Sequence, residues 1–182
     1  QEEFTLKKRF LIVVDMQNDF IDGSLGTPEA QAIVPAVIRR VRDAKAAEDT
    51  VIATLDTHGD DYLETREGRW LPVPHCIQGT EGWRVHPGLA ALLEGCEQVQ
   101  KTSFASVRLP EIILREAENA DEVEIELIGL CTDICVVSNA LVLKSAFPEA
   151  DISVRRSCCA GVTPEKHEAA LLTMASCQID VI

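Results

Sequence analysis

Short apolar runs alternate along this 182-residue chain with amphipathic stretches. Runs rich in Val, Ile and Leu, bounded by charged or turn residues, predict strands at 10–16, 50–57, 123–130 and 152–159. Weaker strand patterns cover 98–103 and 178–182. Helical spacing of apolar residues predicts helices at 32–47, 111–119, 133–147 and 164–176. The alternation predicts one α/β domain over 1–182: a mostly parallel six-stranded sheet with helices on both faces, in a Rossmann-type three-layer arrangement.

Charge and cysteine content narrow the class of protein. The formal net charge is −13, and binding to nucleic acid needs clustered Lys and Arg, so we expect no nucleic-acid partner. We expect no membrane partner either, because no apolar run approaches the length of a membrane span. The seven cysteines are an odd number and several lie in apolar runs, which favours free thiols in a reducing cytoplasm. The apolar run near the start is too short for a signal peptide. Cys158 and Cys159 are predicted core residues.

Polar residues follow four of the predicted strands. These residues are Asp15, then Asp56 with His58, then Lys101, then the segment 132–135. The carboxyl ends of parallel strands meet at one edge of a sheet, so we expect these groups to converge there. A carboxylate in this position, such as Asp15, is typical of a general acid or base, although Asp is also a common capping residue. Lys101, taken alone, would be interpreted as a surface lysine, as most lysines are.

The long segment 58–87 does not follow the alternation. It is rich in Gly, Pro and charge and holds three of the four histidines and both tryptophans. Loops of this length in compact domains are usually functional or disordered, and its Trp, Pro and apolar residues favour an ordered one. Asp56 and His58 lie two apart in a strand and therefore point the same way; with His75 they suit a divalent metal. The alternative is that both histidines are solvated loop residues.

The segment GLCTDICVV, residues 129–137, contains two cysteines at a strand-to-helix junction. Thr132 and Asp133 are good capping types, and the following residues have helical periodicity. Cys135 is therefore expected in the first turn of a helix, where free N–H groups lower the pKa of a thiol from about 8.5. Cys131 precedes the cap and lacks this advantage. The alternative is a pair of buried structural cysteines.

Five motifs occur together in a fixed order. They are VVDMQNDF near the start, LDTH at the second strand, PHC in the long loop, KTSFAS at the third strand and GLCTDICV at the fourth. Together they resemble the isochorismatase-like cysteine hydrolases, and within them the nicotinamidase-like branch. The resemblance runs from about residue 10 to the last residue.

The resemblance implies a catalytic triad. By matching motif positions, Asp15 is the proton carrier, Lys101 the second member and Cys135 the nucleophile. The family places a cis peptide four residues before the nucleophile, between Leu130 and Cys131. The backbone N–H groups of Cys131 and Cys135 are then the oxyanion hole.

The resemblance also implies a metal site. Asp56, His58 and His75 match the metal ligands of the nicotinamidases, and Glu67 is expected as the fourth, with Glu64 as second choice. The metal is one divalent ion, Zn²⁺ first and Fe²⁺ or Mn²⁺ as alternatives, and in this family it holds the pyridine nitrogen of the substrate.

Two aromatic residues are the expected substrate contacts. Phe20 matches the family's first ring. The second family position, shortly before the metal-binding PH, is part of an LPVP run here, so Trp70 is expected to supply the ring from a shifted position.

The expected activity is hydrolysis of nicotinamide to nicotinate and ammonia through a thioester. An alternative inside the family is hydrolysis of another small amide, a ureide or an enol ether. A non-enzymatic alternative is a Cys/His metal or redox protein. The expected partner is a small-molecule amide, and enzymes of this type often form homo-oligomers.

Overall fold

The computed structural model describes residues 7–117 and 119–182 of the chain. Its strands are β1 (Lys8–Val14), β2 (Thr50–Asp56), β3 (Glu97–Lys101), β4 (Val123–Leu130), β5 (Asp151–Ala160) and β6 (Asp180–Val181). Its helices are α1 (Asn18–Ile21), α2 (Pro28–Ala46), α3 (Arg66–Trp70), α4 (Pro87–Ala90), α5 (Leu109–Glu116), α6 (Val137–Ala146) and α7 (Pro164–Ser176). Short 3₁₀ turns occupy Tyr62–Glu64 and Ala120–Glu122, and a π-helical turn occupies Thr132–Val136.

The six strands form one all-parallel sheet in the order β3-β2-β1-β4-β5-β6. The predicted fold class is therefore confirmed. β1 lies between β2 and β4, and the strand order reverses at the β1–β4 pair. In open α/β sheets the crevice at such a reversal, outside the carboxyl ends of the strands, is where ligands bind.

Successive residues of the strands pack on opposite faces of the sheet. In β1, Phe10, Ile12 and Val14 face the core under α5, α6 and α7, whereas Leu11 and Val13 face the core under α2. The same division continues in β5, where Cys159 lies in the first core and Cys158 in the second. A strand covered on both faces is apolar at nearly every position, which is why these strands read as continuous apolar runs.

Helix starts follow local capping chemistry. Thr163 caps α7 by accepting the N–H of Lys166, with Pro164 in the first turn, as the sequence predicts. α2 begins at Pro28, earlier than the predicted residue 32, because Thr27 caps it by accepting the N–H of Ala30. α5 ends at Glu116; the predicted helix 111–119 includes position 118, which lies outside the described residues.

Gly129 allows the ends of β4 and β1 to approach each other closely. Its φ of 118° lies in the region that favours glycine, and a Cβ there would lie 2.1 Å from the carbonyl oxygen of Val14. Glycine at this position therefore brings the residue after β1 next to the turn that follows β4.

The segment between β2 and α4 is ordered, as predicted. The indole N–H of Trp83 donates to the hydroxyl of Thr57 at 2.9 Å, and the Tyr62 hydroxyl donates to the carbonyl of Leu71 at 2.9 Å. The N–H of His58 donates to the carbonyl of Cys76 at 2.9 Å. These bonds fold the loop back onto the carboxyl end of β2. Throughout the described ranges, each helix is too short or too polar to cross a membrane.

Candidate active site

Asp15 directly follows β1 and is fully buried. Its φ of 47° is unusual for a residue other than glycine, and such backbone conformations cluster at functional sites. Oδ1 accepts a hydrogen bond from the Thr54 hydroxyl at 2.7 Å, and Oδ2 lies 2.6 Å from Nζ of Lys101. Lys101, the last residue of β3, is also buried. The structure thus places a buried acid and a buried amine in direct contact.

Cys135 lies in the turn that follows β4. The sequence predicts an α-helix from residue 133, whereas residues 132–136 form a π-helical turn and α6 starts at Val137. The turn is π-helical because the carbonyl of Cys131 accepts the N–H of Val136, five residues further on, at 3.1 Å; the same carbonyl also accepts the N–H of Ile134 at 3.1 Å. The peptide bond between Leu130 and Cys131 is cis, as the resemblance implies.

The three residues predicted as a triad lie together at the β1–β4 crevice. Nζ of Lys101 lies 3.4 Å from Sγ of Cys135 and bridges that thiol to the Asp15 carboxyl. Asn139, on α6, hydrogen-bonds to the backbone on both sides of this group. Its Nδ2 donates to the carbonyl of Cys135 at 2.8 Å, and its Oδ1 accepts the N–H of Ser106 at 2.9 Å. Asn139 therefore connects the turn that carries Cys135 to the loop after Lys101.

Burial and charge set the protonation behaviour of this cluster. Burial raises the pKa of Asp15, and the ammonium of Lys101 offsets part of the effect. Although burial opposes it, the charges of Asp15, Cys135 and Asp56 raise the pKa of Lys101, which stays an ammonium. Burial, followed by the charge of Asp15, raises the pKa of the Cys135 thiol well above its ordinary value. The expectation that the pKa of this thiol is lowered is wrong, because burial and the charge of Asp15 raise it.

A second cluster adjoins the first. One oxygen or nitrogen from each of Asp56, His58, Glu67 and His75 lies within 4.8 Å of the others, a donor set that can hold one divalent metal ion. His75 donates its Nδ1–H to the carbonyl of Val73 at 2.8 Å, which leaves Nε2 as the free ligand atom. Although burial opposes it, hydrogen bonds from the two histidines hold the pKa of Asp56 below its ordinary value.

Glu67, and not Glu64, faces this cluster. Oε1 of Glu67 lies 3.6 Å from Nε2 of His58 and 3.8 Å from Nε2 of His75, while Glu64 is exposed. Glu67 is in α3, whose first turn is capped by Thr65 through the N–H of Gly68. The capped turn directs the glutamate inward.

Two polar residues of the first motif hydrogen-bond to the backbone in or directly next to this second cluster, and neither was singled out from the sequence. The side chain of Gln17 donates to the carbonyl of Asp56 and accepts its N–H, each at 2.8 Å. Oδ2 of Asp19 accepts the N–H of Cys76 at 2.8 Å, directly after His75. A run of polar residues directly after a buried strand is a signal that could have identified both.

Two connected cavities open onto the clusters. The inner chamber, about 60 Å³, is lined by Phe20, Leu25, Asp56, Glu67, Leu71, His75, Phe104, Cys131, Ile134 and Cys135. An outer cavity of about 530 Å³ shares Phe20, Leu71 and Phe104 with it and adds Trp70, which is 88% exposed. Phe20 therefore lines both cavities, whereas Trp70 lines the outer cavity and is not among the residues of the inner chamber. Phe104, not predicted as a contact, lies in both.

The fold and the two clusters define the class: a hydrolase that acts on amide C–N bonds. Residues 9–182 match the family described as Isochorismatase domain, and the chain belongs to this family.

Curated relatives and solved structures support the assignment to this family. The chain is 34% identical over 148 residues to an uncharacterized isochorismatase family protein of Bacillus subtilis, covering 74% of this chain and 77% of that one. It is 32% identical over 145 residues to a nicotinamidase/pyrazinamidase of Mycobacterium tuberculosis, covering 72% and 76%. A pyrazinamidase of Pyrococcus horikoshii, solved in complex with zinc, superposes with a TM-score of 0.82 at 29% identity, covering 96% of this chain and 98% of that one.

Proposed function

We propose that the protein is a nicotinamidase, which converts nicotinamide and water to nicotinate and ammonia through a thioester on Cys135. The observation that carries the proposal is the single inner chamber in which Cys135, 3.4 Å from the Lys101 ammonium, meets two metal-ligating side chains of the second cluster, Asp56 and His75. The relatives named nicotinamidase/pyrazinamidase and pyrazinamidase support the substrate class.

The first step forms the acyl-enzyme. The carboxylate of Asp15 takes the thiol proton of Cys135, and the thiolate sulfur attacks the carboxamide carbon. The Lys101 ammonium, 3.4 Å from Sγ, stabilises the thiolate that the buried site otherwise disfavours. The negative charge moves to the carboxamide oxygen, which the backbone N–H groups of Cys131 and Cys135 stabilise.

Breakdown of this adduct releases ammonia. The carbonyl reforms, the C–N bond breaks, and the protonated Asp15 gives its proton to the leaving nitrogen. The product is a thioester between the acyl carbon and Sγ of Cys135. The raised pKa of Asp15 suits both proton transfers. A carboxyl with a raised pKa is a stronger base toward the thiol, and once protonated it can donate the proton to the leaving nitrogen.

Hydrolysis restores the enzyme. Asp15 takes a proton from water, and the oxygen of that water adds to the thioester carbon. The C–S bond then breaks, the acid leaves, and the Cys135 sulfur takes its proton back from Asp15. Lys101 stays protonated throughout, since the surrounding negative groups raise the pKa of its ammonium.

Asp56, His58, Glu67 and His75 would hold the metal, with Zn²⁺ as the proposed ion and Fe²⁺ or Mn²⁺ as alternatives. When bound, it supplies a Lewis-acidic position for the ring nitrogen of the substrate. The chain's own contribution is orientation: the carbonyl of Val73 fixes the tautomer of His75, and Gln17 holds the backbone of Asp56.

The substrate ring is proposed to pack against Phe20, with Trp70 covering it from the outer cavity. Phe104 and Leu71 line both cavities, so their apolar side chains are also available to pack against a planar ring. The homo-oligomer implied by the family resemblance stays a prediction, which light scattering can measure.

Ammonia release from nicotinamide, measured beside benzamide and a panel of aliphatic amides and ureides, tests the proposal. We expect nicotinamide to be preferred over benzamide, because only nicotinamide has the ring nitrogen, and we expect chelation to remove that preference. Turnover of an aliphatic amide or ureide in preference to nicotinamide, unaffected by chelation, would overturn it in favour of another reaction of the family.

A further inference from the structure

The turn that carries Cys135 is held by contacts from another part of the chain. It begins after Cys131, whose side chain makes no capping hydrogen bond. Thr132, the next residue, is fully buried, and its Oγ1 lies 2.7 Å from Nδ1 of His167, a distance that makes this a short hydrogen bond. His167 lies in the first turn of α7, 35 residues further along the chain.

A second bond joins the same two segments. Oδ1 of Asp133 accepts the N–H of Val162 at 3.0 Å, in the connection between β5 and α7. Gly161 makes the approach possible: a Cβ there would lie 2.7 Å from the backbone nitrogen of His167. Consecutive residues of the nucleophile turn, Thr132 and Asp133, are therefore each fixed by the start of α7.

We propose that His167 is a positioning residue for the hydrolysis: through Thr132 it holds the turn 131–135 so that Sγ of Cys135 and the two proposed oxyanion donors keep their relative positions. This inference rests on the proposed role of Cys135 as the nucleophile. His167 is not among the residues that line the inner chamber, and its hydrogen bond is to Thr132, so its proposed effect passes through the turn.

The chemistry of the imidazole fits this role. Burial lowers the pKa of His167, so the ring is neutral at neutral pH, with one nitrogen as donor and the other as acceptor. The Thr132 hydroxyl can donate to Nδ1 or accept from it, and either tautomer keeps the bond. An asparagine amide at position 167 can reach the same hydroxyl, whereas a leucine of similar size cannot bond to it.

The test compares His167→Asn and His167→Leu in the zinc-loaded protein. Glu168→Ala is the matched control, because Glu168 is the next residue of α7 and its side chain pairs with Arg156 on the exposed surface. We expect kcat for nicotinamide to fall about 10- to 100-fold in His167→Leu with KM within about twofold of the wild type, since small displacements of reacting groups have costs of this size. His167→Asn should recover most of kcat, and Glu168→Ala should match the wild type.

A double variant separates positioning from general destabilisation. Thr132→Val removes the other half of the hydrogen bond, so adding it to His167→Leu should lower kcat by no more than about threefold beyond the single variant. Equal losses in His167→Asn and His167→Leu, or kcat per folded molecule unchanged in His167→Leu, would overturn the inference.

Alkylation with iodoacetamide, followed by peptide mapping, provides a readout that does not need the amide substrate. Wild-type protein should be labelled at Cys135, which lines the inner chamber 3.4 Å from the Lys101 ammonium, and His167→Leu should slow labelling of Cys135 several-fold while Glu168→Ala does not. Identical rates of Cys135 labelling in wild type and His167→Leu would overturn the positioning role. Failure of wild type to label Cys135 at all would instead overturn the proposed nucleophile, and with it the basis of the inference.

Discussion

Nζ of Lys101 lies 3.6 Å from Oδ1 of Asp56, while the same nitrogen lies 2.6 Å from Oδ2 of Asp15. One buried ammonium therefore lies between Asp15 of the first cluster and Asp56 of the second. Replacing Lys101 should consequently change the electrostatic environment of both carboxylates.

The pH dependence follows from the environment of Asp15. Burial raises the pKa of this carboxyl, and the base form is needed to take the thiol proton, so kcat/KM should fall as pH falls through the raised value. The acid limb should lie above the ordinary aspartate pKa of about 3.9. The measurement is the kcat/KM profile for nicotinamide between pH 3 and 9.

Replacing Lys101, whose ammonium lies next to Asp15, should shift the acid limb of the kcat/KM profile. Lys101→Gln removes the charge that lowers the pKa of Asp15, so its residual activity should have an acid limb at higher pH than the wild type. Lys8→Gln is the control, since Lys8 is exposed at the opposite, amino end of β1. A limb at the same pH in Lys101→Gln and wild type would contradict the assignment of Asp15 as the base.

Metal affinity should distinguish the two glutamates of the loop. Glu67→Gln removes a carboxylate that faces His58 and His75, so zinc affinity should fall by more than about 100-fold, given that loss of an outer partner alone costs about 10- to 100-fold. Glu64→Gln, at an exposed position three residues earlier, should bind zinc like the wild type. Competition with a chelating dye measures both. Equal affinities in the two variants would remove Glu67 from the ligand set.

Phe104 and Trp70 should contribute differently to substrate binding. Phe104 lines the inner chamber, so Phe104→Ala should raise KM for nicotinamide about 3- to 10-fold, the size of a lost aromatic contact. Trp70 is 88% exposed in the outer cavity, so Trp70→Ala should change KM less than about twofold. An effect of Trp70→Ala as large as that of Phe104→Ala would contradict this prediction.

Cys131 should tolerate loss of its side chain. Its proposed part in the reaction is a backbone N–H, which alanine retains, so Cys131→Ala should keep ammonia release within about threefold of the wild type. A loss comparable to that of a catalytic residue would assign the Cys131 thiol a direct role and would contradict the oxyanion hole described above.

The strands could be predicted because β1, β2 and β4 are covered on both faces and are nearly continuous in apolar residues. The positions of Asp15, Lys101 and Cys135 follow from the same pattern, since each lies at or just beyond the carboxyl end of a strand. The π-helical turn could not be predicted, because it depends on the N–H of Val136 bonding to the carbonyl of Cys131, which no residue pattern in this segment indicates.

Other features depend on contacts between distant parts of the chain. Thr132 and His167 are 35 residues apart, and only the docking of α7 brings them together. Loop residues have no fixed period, so spacing alone does not decide which glutamate of the loop faces the histidines. The raised pKa of the Cys135 thiol depends on its burial, which the capping pattern of residues 132–135 does not reveal.

Ammonia release by Cys135→Ala tests the central claim most directly. With the metal loaded and a thermal unfolding midpoint close to that of the wild type, this variant should turn over nicotinamide at least about 10⁴-fold more slowly, because it lacks the sulfur on which the proposed thioester forms. Ammonia release within about 10-fold of the wild type would contradict the account.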